Sequence, residues 1–263
     1  MGFSADWLAL REPADHAARD ADLLRRAAAA AGPDPVILDL GCGTGSTVRA
    51  MSKFLPDHTR WYLVDHDPDL LEHAARSAGP KARIDQRELA ELDGLPLDGV
   101  TLVTASALLD LMPKAWIDEL AALLSVPFYA ALSYDGAMSW EPALPGDEEA
   151  TAAFNRHQCG DKGLGPALGP QAASSTASTL SKQGFAIHRA KSPWQLGAGE
   201  EALQVALVQG IAQAAGEAGF TQAEEWGRRR IQSASGSACV IGHDDILALP
   251  SQWTEEESRH GAD

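Results

Sequence analysis

The chain has 263 residues, 45% of them hydrophobic, enough for one large α/β domain with a full core. A net charge of −16 and a sequence pI near 4.8 weigh against nucleic acid as a partner, because phosphate binding needs a basic surface. Cys42, Cys159 and Cys239 lie far apart without metal-ligand spacing, a reduced, cytoplasmic pattern. The charged amino terminus does not read as a signal peptide, and no apolar run approaches bilayer length.

Residues Ala5 to Ala31 read as one or two helices stopped by Gly32-Pro33. Val36-Ile37-Leu38-Asp39-Leu40 is a buried strand, broken by Gly41-Cys42-Gly43-Thr44-Gly45 before a helical rhythm begins. A strand that turns into a helix through alternating glycines lets a ligand lie against bare backbone at a sheet edge. Trp61 to Asp65 is a second strand ending in an acid. From Asp69 a helix follows, with Leu70, Leu71, Ala74 and Ala75 on one face; Asp67, before Pro68, suits its N-cap. Ala82 to Leu89 holds a third strand and turn, and Gly99 to Ser106 a β-branched fourth. A helix spans Ala115 to Leu124 and a fifth strand Pro127 to Tyr134. From Asp135 to about Gly184 strand rhythm disappears, apart from a short helix ending at Gln183-Gly184. A strand at Phe185 to Lys191, helices at Glu200 to Ala218 and Gln222 to Ile231, and a last strand at Ser237 to Ile241 complete the order. His243-Asp244-Asp245 then reads as a turn, Arg228-Arg229-Arg230 as a solvated face, and the stretch from Thr254 as a polar tail.

The glycine spacing separates two ligand classes. Dinucleotide sites use Gly-x-Gly-x-x-Gly, but here the position of that third glycine is Ser46, and Asp39 precedes the turn. A carboxylate there suits an ammonium or sulfonium better than a pyrophosphate. Asp39-x-Gly41-x-Gly43-x-Gly45 resembles the first motif of class I S-adenosylmethionine-dependent methyltransferases, and Asp65 matches that family's ribose-binding acid. The resemblance covers about Pro35 to Tyr134 by motif and the remainder by element order. It implies a doubly wound, mostly parallel seven-stranded sheet with N-terminal helices and an insertion after the fifth strand. One domain is expected over 1–263: a cap at 1–33, a cofactor-binding core at 34–134, a substrate-side insertion at 135–184, the rest of the sheet at 185–250 and a tail at 251–263.

S-adenosylmethionine is the implied cofactor, held by Asp39, Gly41, Cys42, Gly43, Gly45, Asp65, His66, Glu88 and Ser106; Asp85 is the alternative to Glu88 at the adenine. Asp110, in the segment after the fourth strand, faces the acceptor or caps a helix. Within Phe154 to Pro166, a polar, glycine-rich stretch, His157 or Asp161 would be a base or orienting group, and Arg156 or Lys162 would meet an anionic substrate. Trp140, Trp194 and Trp226 could line an acceptor pocket or serve as core. Methyl transfer to a small molecule, without nucleic acid or membrane partners, is the expected function of a monomer or homodimer. The expected absences include any bound metal. A non-catalytic S-adenosylmethionine-binding protein and, less well matched, an atypical nicotinamide oxidoreductase are the alternatives.

Overall fold

The computed structural model describes residues 3–80, 82–251 and 253; most of the expected tail lies outside them. Its strands are β1 (Val36–Leu40), β2 (Arg60–Asp65), β3 (Arg83–Gln86), β4 (Leu102–Ser106), β5 (Phe128–Glu141), β6 (Ala186–Lys191), β7 (Trp194–Leu196) and β8 (Ala238–Leu249). They form one sheet in the order β3-β2-β1-β4-β5-β8-β6, with β7 paired to β8. The ladders from β3 to β5 are parallel, whereas β8 is antiparallel to β5, β6 and β7.

The helices are α1 (Ala5–Ala18), α2 (Ala21–Ala30), α3 (Ser46–Met51), α4 (Pro68–Ala78), α5 (Lys114–Leu123), α6 (Asp147–Gln158), α7 (Ala172–Lys182), α8 (Glu201–Glu217) and α9 (Ala223–Ser233). Strand alternation explains how they distribute. Leu38, Leu40, Val103 and Ala105 pack with Trp116, Ile117 and Leu120 of α5 and Leu180 of α7. Ile37, Leu63, Leu102 and Tyr129 pack with Leu23, Leu24 and Ala27 of α2, Val48 of α3 and Leu71 of α4. Helices therefore cover both faces, as a parallel sheet requires. No helix among the described residues is long and apolar enough to cross a membrane.

Three expectations change. The sheet has an eighth strand, the three-residue β7, too short to show a pattern of its own. The last strand does not stop at Ile241 but continues to Leu249, so His243, Asp244 and Asp245 lie inside it, all buried. Consecutive polar residues suggested a turn, but here tertiary partners satisfy the two carboxylates. The Asp245 carboxylate accepts from Leu132 N–H at 2.8 Å, Ser192 Oγ at 2.6 Å, Asp20 N–H at 3.0 Å and the Tyr129 hydroxyl at 3.3 Å. Finally, the stretch after Tyr134 is ordered: β5 runs on to Glu141 through two register shifts, and α6 and α7 follow. Helix α6 buries only Ala150 and Ala153, which left no apolar periodicity to read.

A subsidiary layer consists of α6, α8 and α9 against the far arms of β5 and β8. Trp140 and Trp226 belong to its core, 6.1 Å apart and edge to face. Arg230, expected on a solvated face, is instead buried at its centre, because α9 rolls this residue inward. Its Nε donates to Asp147 at 2.8 Å, Nη2 to the same carboxylate, Nη1 to the Pro142 carbonyl at 2.9 Å, and its plane lies 4.9 Å from the Trp140 ring. Arg228 and Arg229 remain on the surface, paired with Glu225. Removing one member of a buried ion pair costs about 3–5 kcal/mol. Arg230→Ala should lose about that much in urea denaturation, while Arg228→Ala should stay within about 0.5 kcal/mol of the parent.

Candidate active site

β1 delivers the chain to the sheet's carboxyl edge, where Gly41, Gly43 and Gly45 adopt φ of 63°, 53° and 86°. Side-chain-bearing residues rarely adopt these values, and each missing Cβ makes room for a neighbour. At Gly45 a Cβ would come within 3.1 Å of the Ala74 backbone, so the glycine permits α3 and α4 to close together. At Gly41 it would meet Leu108, from the turn after β4, at 3.1 Å, and at Gly43 it would meet Leu8 of α1 at 3.2 Å. The glycine turn, the β4 turn and the N-terminal helix thus converge.

Asp65 ends β2 beside this turn. It is buried, with Oδ2 accepting from Gly43 N–H at 2.9 Å and Oδ1 from Asp67 N–H at 3.1 Å; the His66 ring, about half exposed, lies 3.2 Å from Oδ1. Asp67 caps α4 through Asp69 N–H and Leu70 N–H. Arg87 N–H donates to the Asp65 carbonyl at 2.9 Å, and the exposed Glu88 follows just past the end of β3. Asp85 is paired with Arg87 at 2.8 Å. Cys42 is buried within the turn, its N–H on the Val64 carbonyl, and burial pushes its thiol well above the ordinary range.

Asp39 is fully buried on the α2–α3 face. Thr104 Oγ1 donates to its Oδ1 at 2.7 Å, while Oδ2 has no partner among the described residues. Burial pushes its carboxyl up to about 7, against the lowering effects of Thr104, Arg19 and Thr47. Arg19, at the carboxyl end of α1, is 5% exposed, and none of its guanidinium nitrogens has a hydrogen-bond acceptor among the described residues. Its charge acts on Asp39, Tyr129 and Asp245.

Further unpartnered buried atoms occupy the same edge: Ser106 Oγ at the end of β4, Asp110 Oδ1 just beyond it, Ser133 Oγ on β5 and His243 Nδ1 on β8. Buried polar atoms without partners are uncommon and expensive, so their concentration here marks a place built for a polar ligand. Ala107, between Ser106 and Leu108, has φ of 49°, a strained conformation for a residue with a side chain.

The polar stretch expected to close over an acceptor is divided. His157 Nε2 lies 3.0 Å from Glu217, and Arg156 donates to the Ala218 carbonyl at 3.3 Å, so both serve the seam between α6 and α8. Asp161 accepts from Gly163 N–H and Gly165 N–H, which hold its carboxyl below the usual range. These contacts do not bring His157, Arg156 or Asp161 to the glycine turn. Lys162 binds the His157 carbonyl at 3.0 Å, and its charge reaches Asp110. Sequence reading missed Arg11, Arg19, Tyr134 and His243. The signal available was the i,i+4 pairs Arg11–Asp15 and Glu12–His16 on α1, but whether such pairs face water or protein is not encoded locally.

A doubly wound sheet with a glycine-rich β1–α3 turn and an acid closing β2 defines a Rossmann-like nucleoside-binding domain. Residues 37–126 match the family model described as a methyltransferase domain, and the sheet with its flanking helices has the class I methyltransferase fold. In solved structures it is similar to the YcgJ protein of Bacillus subtilis, at 15% identity and a TM-score of 0.54, covering 88% of this chain and 98% of that one. It is also similar to a putative methyltransferase from Bacillus halodurans, at 13% identity and 0.51, covering 87% and 97%. A S-adenosylhomocysteine complex of a S-adenosylmethionine-dependent methyltransferase from Thiobacillus denitrificans gives 14% and 0.49, covering 95% and 100%. No curated protein sequence matches.

The raised carboxyl of Asp39 has a consequence for stability. A group raised on folding contributes stability that is present at low pH and lost as pH climbs through its folded value. The stability difference between the parent and Asp39→Asn should therefore shift against the parent between pH 5 and pH 8. Urea denaturation at both pH values reads this directly, and an unchanged difference would contradict an acid buried in its neutral form.

Proposed function

We propose that this protein transfers a methyl group from S-adenosylmethionine to a small-molecule acceptor, with the whole chain acting as one methyltransferase domain. The observation that carries this reading is the buried pair Arg19 and Asp39 beside the glycine turn, each with unsatisfied polar atoms. A guanidinium and a carboxyl group left open together complement the carboxylate and ammonium of an amino-acid head group, the Asp39 proton leaving as the ammonium binds. Asp65, at the end of β2, suits a ribose diol once its carboxylate turns from Gly43 N–H, and Glu88, just beyond β3, is the proposed partner of the adenine amino group. Gly41, Cys42, Gly43, Gly45, His66 and Ser106 complete the proposed cofactor contacts.

When bound, the sulfonium supplies a methyl group already activated for transfer. The protein's part is then to align the acceptor and exclude water, and orientation accounts for much of the acceleration in such reactions. A strongly acidic chain favours a small acceptor over nucleic acid and agrees with a protein of the cytoplasm, working as a monomer or homodimer. Asp39 under the turn and Ser46 in place of a glycine argue against a nicotinamide site. A member that binds the cofactor without transferring its methyl group would share every feature named here except turnover.

Calorimetry with S-adenosylhomocysteine, 5′-methylthioadenosine and NAD tests the reading. S-adenosylhomocysteine should bind with micromolar affinity, and methylthioadenosine, which lacks the amino-acid head, should bind far more weakly. Loss of a charge-assisted hydrogen bond costs about 1.5–3 kcal/mol, so Asp65→Ala and Arg19→Gln should each weaken S-adenosylhomocysteine by roughly ten- to a hundredfold. Arg19→Gln should leave methylthioadenosine unaffected. Preference for NAD, or no binding by any of the three, would overturn the proposal.

A further inference from the structure

A second polar cluster lies on the acceptor side of the glycine turn, and the cofactor residues do not account for it. Asp110 stands two residues beyond Leu108, whose side chain packs on Gly41, in the turn strained at Ala107. It is 7% exposed, and its Oδ1 has no partner among the described residues. Four separate elements bring groups around it. Arg11 of α1 and Lys162, beyond α6, act on it with positive charge, and Tyr134 of β5 adjoins it through its backbone. His243 of β8 pairs with Tyr134 across the ladder, their rings 6.3 Å apart, and Arg11 acts on His243 as well.

Aromatic rings enclose this cluster. The Trp194 ring is 5.3 Å from His243 and 4.8 Å from the Arg11 guanidinium, and Phe154 meets Tyr134 edge-on at 5.5 Å. The framework is held rigidly: Asp15 takes Arg11 through Nε and Nη2 at 2.8 and 3.0 Å, and also accepts from Trp194 Nε1 at 2.9 Å. The Tyr134 hydroxyl donates to Asn155 at 2.7 Å. His243 is unsuited to taking a proton, since burial and Arg11 push its ring down to about 4.

We propose that this cluster is the acceptor subsite, that it takes a small aromatic compound bearing a hydroxyl nucleophile, and that Asp110 is the catalytic base. This rests on the methyltransferase reading above. The two cations favour a hydroxyl over an amine: the positive charge that grows on an amine nitrogen as it takes the methyl group would be repelled by Arg11 and Lys162, whereas the negative charge growing on an oxygen as it loses its proton would be stabilised. In the step itself, an oxygen lone pair forms the new bond to the methyl carbon. The carbon–sulfur bond breaks with its electron pair passing to sulfur, which neutralises the sulfonium, and the hydroxyl proton moves to the Asp110 carboxylate. The rings supply flat walls for the acceptor, and the cap helix α1 excludes water above it.

The test uses the full chain with S-adenosylmethionine and paired probes: phenol, 4-hydroxybenzoate and 3,4-dihydroxybenzoate against aniline, 4-aminobenzoate and benzylamine. Release of S-adenosylhomocysteine is followed, with calorimetric binding of S-adenosylhomocysteine as the control. Hydroxyl probes should turn over and amine probes should not. In the parent, kcat should rise with pH through about 6 and then level, because the base must be ionised to act; Arg11, Lys162 and His243 are the other charged or titratable groups facing Asp110, and burial and Arg11 hold His243 at about 4, below that limb. Asp110→Asn should lower kcat by about a hundredfold or more and abolish that limb, with S-adenosylhomocysteine affinity unchanged. Equal or better turnover of the amines, no turnover of any hydroxyl probe, or a flat parent profile between pH 5 and 7.5 would each overturn the proposal. If Asp110→Asn fails to bind S-adenosylhomocysteine, the parent's probe preference and pH limb decide alone. Failure of the parent to bind S-adenosylhomocysteine would fall on the cofactor reading instead.

Discussion

The carboxylate of Asp245 holds together parts of the molecule that nothing local would join. One buried side chain on β8 accepts hydrogen bonds from the irregular turn of β5 at Leu132, from Ser192 between β6 and β7, from Tyr129 and from the joint between α1 and α2. Leu132 has φ of 58°, a costly backbone state that persists because this carboxylate takes its N–H. The β5 irregularity in turn shifts the strand's register, so that Ser133 and Tyr134 stand opposite Asp244 and His243 of β8. The α1–α2 joint fixes where Arg19 enters the interior. Both halves of the active region therefore depend on one anion buried far from the glycine motif in sequence.

The site has a division of labour that follows from its topology. The parallel half of the sheet offers backbone and acids at the carboxyl ends of β1 and β2, as open α/β sheets do where strand order reverses. The antiparallel half, with the cap layer, offers rings and charges from β5, β7 and β8. Helix α1 is the piece that touches both. Leu8 rests on Gly43, Glu12 takes Arg49 of α3 through Nη2 at 2.7 Å, and on its other face Arg11 and Asp15 engage Trp194. In the proposed reaction, the nucleoside on the first half and the acceptor on the second would meet beneath that helix.

What could be read in the sequence was what is encoded locally. The glycine turn, the acid closing β2, the Asp67 cap and the alternation of strands and helices through residue 134 each depend on a few neighbouring residues, and the structure has all of them. The last strand was half legible: Ala238 to Ile241 alternates or runs apolar, but His243, Asp244 and Asp245 look like solvent-facing residues until Ser192, Arg189 and the β5 backbone are brought beside them. Arg230 was misjudged for the same reason, because Asp147, its partner, lies 83 residues away. Helix α6 gave no periodic signal because its buried face is two alanines, which carry little hydrophobic signal. Charged residues placed inside by distant partners are invisible to periodicity, and Arg11, Arg19 and His243 are of that kind.

The clasp between Asp20 and Asp245 spans 225 positions, and that between Asp15 and Trp194 spans 179. Helix α1 leaves the ribosome before the sheet does, yet it cannot take its final place until β7 and β8 have been made. During synthesis the Rossmann-like half can order around β1 to β4 while α1 waits, its polar face without partners and its apolar face exposed. Contacts so remote in sequence close slowly, since the intervening chain must be ordered first. The roof over the glycine turn is thus made before the sheet it covers and set in place after it.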